Sequence, residues 1–104
     1  MRVVDTTITT LIDSSPLSVR ELARAVGAEE QWVLRLVEVE ILHVDTPSEP
    51  PERWHFRSGD LQRALAARRL ERDFGANLDT AALILDLQSE LRRLRALMGA
   101  HGLA

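Results

Sequence analysis

Apolar residues between Ser18 and Val37 recur with the period expected of two short helices. Along the first helix they occupy one face at the spacing i, i+3, i+4, i+7: Val19, Leu22, Ala23 and Val26. Ser18 and Glu21 form a capping box at its start, and Gly27 is placed to end it as a C′ glycine. A second helix is predicted to begin near Ala28, with an apolar face made of Trp32, Val33, Leu36 and Val37. Two helices joined by a short glycine turn form a helix-turn-helix.

Extended segments are predicted on either side of this helix pair. Residues 6–12 are rich in β-branched side chains and predict a short strand that ends before Pro16. Residues 45–52 contain three prolines within five positions, which favours a loop and excludes a helix or a central strand. In residues 54–56, Trp54 and Phe56 alternate with a histidine, so we expect a short strand with both aromatic rings in the core. A loop closed by a strand at this point predicts a small β wing.

Two further helices are predicted after the wing. The third runs from Ser58 to about Asp73, and Asn77 caps a long last helix over about residues 78–98. One apolar face of the last helix is placed to pack on the domain: Leu78, Ala81, Ala82 and Leu85. A second set follows the 3-4-3-4 spacing of a coiled-coil seam: Ile84, Leu87, Leu91, Leu94 and Met98.

The elements together predict a mainly α-helical fold of two parts. Residues 1–75 form a winged helix-turn-helix, and residues 76–104 carry the long C-terminal helix of the same compact unit. The seam on that helix could pack inside a monomer. A helix of about 30 Å is long for a small domain, however, so we favour a homodimer through the seam.

The composition limits the class of protein. A length of 104 residues is enough for one small domain with a modest core. The absence of cysteine excludes disulfides and thiolate chemistry and suits a cytoplasmic location, and no stretch is long and apolar enough to span a membrane. Residues 1–60 hold 6 Arg and 11 acids, a net charge of −5, whereas residues 61–104 hold 7 Arg and 5 acids, a net charge of +2. The N-terminal part should therefore favour basic partners.

The second helix has an unusual charge for a helix-turn-helix protein. Proteins that bind duplex DNA neutralise its phosphates with lysine and arginine. Residues 28–44 contain four glutamates and one arginine instead. We interpret this segment as a docking surface for a basic partner, and the alternative is an ordinary solvated polar face. The predicted contact residues are Glu29, Glu30, Arg35, Glu38, Glu40 and Asp45.

No group of residues in the sequence predicts catalysis. The histidines are scattered without metal-ligand spacing, and there is no Ser-His-Asp set or glycine-rich phosphate loop. Glu38 and Glu40 point in different directions on a helix and do not form a catalytic pair. We therefore predict that the protein is not an enzyme and has no metal site and no cofactor. Trp32 could anchor an interface, but its apolar neighbour Leu36 favours a place in the core.

The order of these elements resembles the MerR-like architecture and, more closely, the chaperone modulator CbpM family. The similarity spans about residues 18–95, and the matching stretches are residues 21–27, 32–38 with 41–42, 54–56, 68–73, 77–78, 82–87 and 90–92. This resemblance implies a protein that binds the J-domain of a CbpA/DnaJ-like co-chaperone and blocks its work with the chaperone DnaK. J-domains of this kind present a basic helix, which suits an acidic partner.

The chain also departs from the MerR-like pattern. Glu40 stands where that pattern usually has glycine, and Val44 where it has proline. A glutamate in a left-handed cap costs on the order of 1 kcal/mol, so we expect the turn after the second helix to be rebuilt. The alternative function is that of a dimeric, DNA-binding transcriptional regulator. The charge argues against it, because the second helix and the wing hold only Arg35, Arg53 and Arg57 against seven acids.

Overall fold

The computed structural model describes residues 15–100, and four α-helices account for most of them. The helices are α1 (Val19–Val26), α2 (Glu30–Glu38), α3 (Ser58–Phe74) and α4 (Leu78–Ala100), with a 3-10 turn at Pro51–Arg53. The helices pack around a single apolar core, and no polar or charged residue of the described part is buried. The prediction of a mainly α-helical, MerR-like fold is confirmed. The strand predicted for residues 6–12 lies outside the described residues.

The ends of α1 follow directly from its sequence. The Glu21 backbone N–H donates to Ser18 Oγ at 3.1 Å, and the Ser18 N–H donates to Glu21 Oε1 at 2.9 Å, which completes the capping box. Gly27 ends the helix in the left-handed conformation with φ 73°. The Ala28 N–H still donates to the carbonyl of Ala23 at 2.9 Å. Because Ala28 belongs to the closing turn of α1, α2 begins at Glu30, two residues later than predicted.

The turn after α2 keeps the left-handed conformation even though it holds a glutamate. Glu40 has φ 64°, and the N–H groups of Ile41 and Leu42 donate to the Leu36 carbonyl at 2.8 and 3.1 Å. Ile41 and Leu42 are 0% and 1% exposed. Burying each of these side chains is worth roughly 1.5–3 kcal/mol, which exceeds the strain at Glu40. The expectation of a rebuilt turn is therefore wrong.

The segment predicted as a loop closed by a strand contains a 3-10 turn and no regular strand. Within residues 15–100, the predicted strand at residues 54–56 is reduced to one antiparallel bridge, in which Phe56 and Leu17 exchange two hydrogen bonds of 2.8 Å. Pro51 begins the 3-10 turn, where its missing N–H costs nothing. The small β wing is not observed in the described part of the chain. The physical reason is that the prolines have no N–H group to donate to a β-sheet hydrogen-bond ladder.

A helical hairpin of α3 and α4 completes the core. Gly75, with φ 65°, ends α3, and Asn77 caps α4 by accepting a hydrogen bond from the Thr80 N–H at 2.8 Å. The predicted inner face of α4 is buried, with Leu78, Ala81, Ala82 and Leu85 each at most 8% exposed. The first half of α4 is therefore part of the core. The predicted division of the chain into residues 1–75 and 76–104 stays a prediction. Among the described helices, none is long and apolar enough to cross a membrane.

The strain at Glu40 leads to a stability prediction. Glu40→Gly should stabilise the fold by about 0.5–1 kcal/mol, because relief of the left-handed strain outweighs the greater freedom of an unfolded glycine. Glu40→Ala keeps the Cβ atom and is the matched control, which should not gain stability from this source. The measurement is thermal unfolding, in which the glycine variant should melt about 2–8 °C above wild type. Equal stability of the two variants would contradict the argument.

Candidate partner-binding surfaces

The acidic side chains of α2 and the following loop all lie on the surface. Residues 29–52 contain seven acids, and every one of them is exposed: Glu29, Glu30, Glu38, Glu40, Asp45, Glu49 and Glu52. Arg35 is the only arginine or lysine in the same range, and it is also exposed. The negative charge is therefore presented to solvent, and none of it is used inside the core.

Two of the predicted contact acids are already paired with arginines. Glu30 Oε2 lies 3.3 Å from Arg20 Nε of α1, and Glu38 Oε1 lies 3.6 Å from Arg35 Nε one turn earlier on α2. Pairs as exposed as these contribute only about 0–1 kcal/mol, so a partner can exchange them at little cost. The other predicted acids, Glu29, Glu40 and Asp45, make no ion pair with another described residue.

The six predicted residues do not converge on one pocket. Glu29 precedes α2 and Glu40 follows it, so the charges are spread along an element of about 13 Å. Asp45 lies in a separate cleft of about 510 Å³ beside Glu49 and Glu52. These last two acids were not among the predicted contact residues, although the charge count of the loop pointed to them.

A second groove lies between α1, α2 and the 3-10 turn. It has a volume of about 360 Å³ and is lined by Ser18, Val19, Arg20, Glu30, Leu34, Pro51 and Glu52. Leu34 is half-buried against the core from the outer side of α2. It was not predicted as a site residue, although a leucine outside the apolar face of a helix was a signal in the sequence.

Trp32 holds α2 against α3 and is not an exposed anchor. Its indole N–H donates to Glu71 Oε1 at 3.1 Å, and the guanidinium carbon of Arg68 lies 5.4 Å from the ring centroid. Arg68 also donates to the Gly27 carbonyl at 3.2 Å. These contacts support the structural role expected of Trp32. Phe56 is fully buried as predicted.

Trp54 is only half-buried and closes the loop through its polar edge. The indole N–H donates to the carbonyls of Thr46 and Glu49 at 3.2 and 3.0 Å. Both acceptors belong to one loop, and the ring that they hold lines the cleft that contains Asp45.

The predicted seam of α4 is largely exposed. Ile84 is half-buried, whereas Leu87, Leu91, Leu94 and Met98 are 60%, 46%, 45% and 45% exposed. At about 100° per residue, this stripe lies on the opposite side of the helix from the buried face. Leu83 and Leu97 widen it and are 60% and 44% exposed. The described chain offers nothing that covers these side chains.

Within residues 15–100, no group of three or more histidines and acids lies close enough to hold a metal ion.

The comparisons with known proteins agree with this architecture. The family model of the MerR HTH family regulatory protein matches residues 17–98. The chain is also 32% identical over 81 residues to the chaperone modulatory protein CbpM of three Coxiella burnetii strains: Dugway 5J108-111, RSA 331 / Henzerling II and CbuG_Q212. This chain belongs to the CbpM family of MerR-type helix-turn-helix proteins. Each match covers 78% of this chain and 74% of the relative.

Membership of the CbpM family confirms the resemblance on which the prediction of function was based. The matching relatives are named as chaperone modulatory proteins, and the matching family model describes regulatory proteins. No solved structure matches the chain.

Proposed function

We propose that this chain is a chaperone modulator that binds the J-domain of a DnaJ-like co-chaperone of the CbpA type and inhibits its co-chaperone activity. Family membership supports a modulatory role. The observation that carries the choice of partner is the surface of α2 and the following loop, with seven exposed acids against the three exposed arginines Arg35, Arg53 and Arg57. A basic partner helix is the complement of such a surface.

The same surface suggests how inhibition would work. The basic helix of a J-domain is the element that it presents to DnaK, so a protein that covers this helix competes with DnaK. Individual exposed ion pairs contribute only about 0.2–1 kcal/mol, and their main effect is on the association rate. We expect the acids to steer the encounter, and we expect the site of action to be the cytoplasm.

Charge reversal tests the role of the acids. The double variant Glu29→Lys with Glu40→Lys removes two acids that have no ion-pair partner among the described residues. It should weaken binding to the cognate J-domain by about three- to thirtyfold at low salt, and the salt dependence of binding should fall with it. The measurement is calorimetry of wild type and variant at two salt concentrations.

A matched double variant controls for net charge. Asp79→Lys with Asp73→Lys makes the same change in charge at the start of α4 and the end of α3, outside the acidic surface. The wild-type affinity should be largely retained. If both double variants bind equally well, or if the wild type does not bind the J-domain, the proposed function is contradicted.

The second candidate function is DNA binding. The helix-turn-helix of α1 and α2 and the family of regulatory proteins favour it. The charge opposes it, because α2 occupies the place of a recognition helix and has Arg35 as its only basic residue. Basic proteins bind duplex DNA non-specifically at about 10⁻⁴ to 10⁻⁶ M.

We therefore predict weaker DNA binding than this, with no retention on heparin at physiological salt. A gel shift against the protein's own promoter checks the prediction. A salt-dependent shift at sub-micromolar protein would favour the transcriptional regulator instead.

We also propose that the chain is a homodimer through the seam on α4. The support is the exposed stripe, in which Leu91 and Leu94 form the central positions. Burying a leucine side chain is worth roughly 1.5–3 kcal/mol, so a second copy gains most by covering both.

Sedimentation equilibrium tests the dimer. The variant Leu91→Asp with Leu94→Asp should be monomeric at tens of micromolar, whereas wild type should be dimeric. The control variant Arg92→Asp with Ala96→Asp introduces two aspartates on the opposite side of the helix, and this variant should remain dimeric. A monomeric wild type would contradict the proposal.

A further inference from the structure

We propose that the groove between α1, α2 and the 3-10 turn receives an apolar side chain from a basic helix of the partner, with Leu34 as its floor. This inference rests on the proposed function and assigns the contact that provides affinity. The partner is defined by its chemistry, a helix that carries an apolar residue flanked by lysine or arginine.

The acidic surface by itself cannot provide a stable complex. Each exposed ion pair contributes little, and salt weakens it further. Binding energy in protein interfaces is concentrated in a few desolvated contacts that a polar rim surrounds. An apolar contact must therefore lie among or beside the acids.

The groove has this arrangement of an apolar floor and a charged rim. Leu34 is half-buried, Val19 is 6% exposed, and Pro51 faces them from the 3-10 turn. Glu30 and Glu52 supply the rim from α2 and from the turn. A volume of about 360 Å³ accommodates one or two side chains and is too small for a whole helix.

The charges of the rim favour a basic occupant. Glu30 is already 3.3 Å from Arg20 Nε, which shows that its carboxylate is placed to bind a guanidinium at this position. A cation of the partner can take the place of Arg20 or add to it. Glu52 supplies a second carboxylate to the same groove, so an apolar side chain that packs on Leu34 brings its basic neighbours close to both acids.

The other surfaces are less suitable for the same partner. The concavity beside Trp32 is lined by Arg35 and Arg68 against a single acid, Glu29, so its net positive charge disfavours a basic helix. In the cleft near Asp45, the indole N–H of Trp54 already donates to two loop carbonyls, so this polar edge of the ring is not available to a partner.

The exposed stripe of α4 is less suitable as well. It is the face proposed above for a second copy of this chain, and Arg95 lies at its edge.

The test compares two leucines. Leu34→Ala should weaken binding of the cognate J-domain at least about fivefold in calorimetry, with its salt dependence unchanged, because the lost contact is apolar. Leu65→Ala is the control, since Leu65 is 37% exposed on α3 and lies outside the groove. It should change the affinity by less than about twofold. Thermal unfolding of both variants shows whether they are folded.

A second variant keeps the test decisive if Leu34→Ala does not fold. The chain has no cysteine, so Glu52→Cys can be labelled selectively with a bulky maleimide that fills the groove. The unlabelled variant loses one rim carboxylate and should bind a few-fold more weakly than wild type. Labelling should abolish the binding that remains, whereas labelled Arg69→Cys on α3 should bind as before.

The outcomes separate the two proposals. If wild type does not bind the J-domain, the proposed function and this inference both fail. If wild type binds, Leu34→Ala does not reduce affinity, and labelling does not reduce it below that of unlabelled Glu52→Cys, only the inference fails. The same conclusion follows if Leu34→Ala lowers stability without changing affinity.

Discussion

The side chain of Arg63 links the helix-turn-helix to the long C-terminal helix. From α3, its Nε donates to the Ile41 carbonyl at 2.7 Å, while its terminal nitrogens donate to Ser89 Oγ at 3.3 Å and Asp86 Oδ1 at 3.2 Å. The planar guanidinium can satisfy these acceptors together, which a lysine cannot do. Without Arg63, the carbonyl of the buried residue Ile41 would lose its partner at a cost of about 1–3 kcal/mol. This side chain therefore adds a polar link between the turn after α2 and α4 to the apolar core that packs the helices together.

That arrangement keeps the two proposed interaction surfaces separate. The inner face of α4 is occupied by the core, so its outer stripe is available to a second copy without disturbing α2. The acids of α2 and the loop contribute no residue to the stripe, and the stripe contributes none to the groove at Leu34. A dimer built on α4 would present two acidic surfaces, each complete within one protomer.

Local interactions could be predicted from the sequence, and features that depend on the whole fold could not. The caps at Ser18 and Asn77 involve residues three positions apart, so a short motif determines them. The conformation of Glu40 was predicted wrongly because intrinsic strain opposes it and only tertiary burial of Ile41 and Leu42 overcomes that strain. Leu34 was not proposed from the sequence because its groove also includes Pro51 and Glu52 of the 3-10 turn, which lie far from it along the chain.

The acidity of the surface has no explanation in the stability of the fold. The acids are exposed, no charged residue of the described part is buried, and the pairs of Glu30 and Glu38 contribute about 0–1 kcal/mol each. Like charges along one segment repel each other and lower stability slightly. Glu40 adds backbone strain to this cost at a position where glycine would be more stable. A partner of opposite charge offsets this cost when it binds, and this is the physical argument for a basic partner.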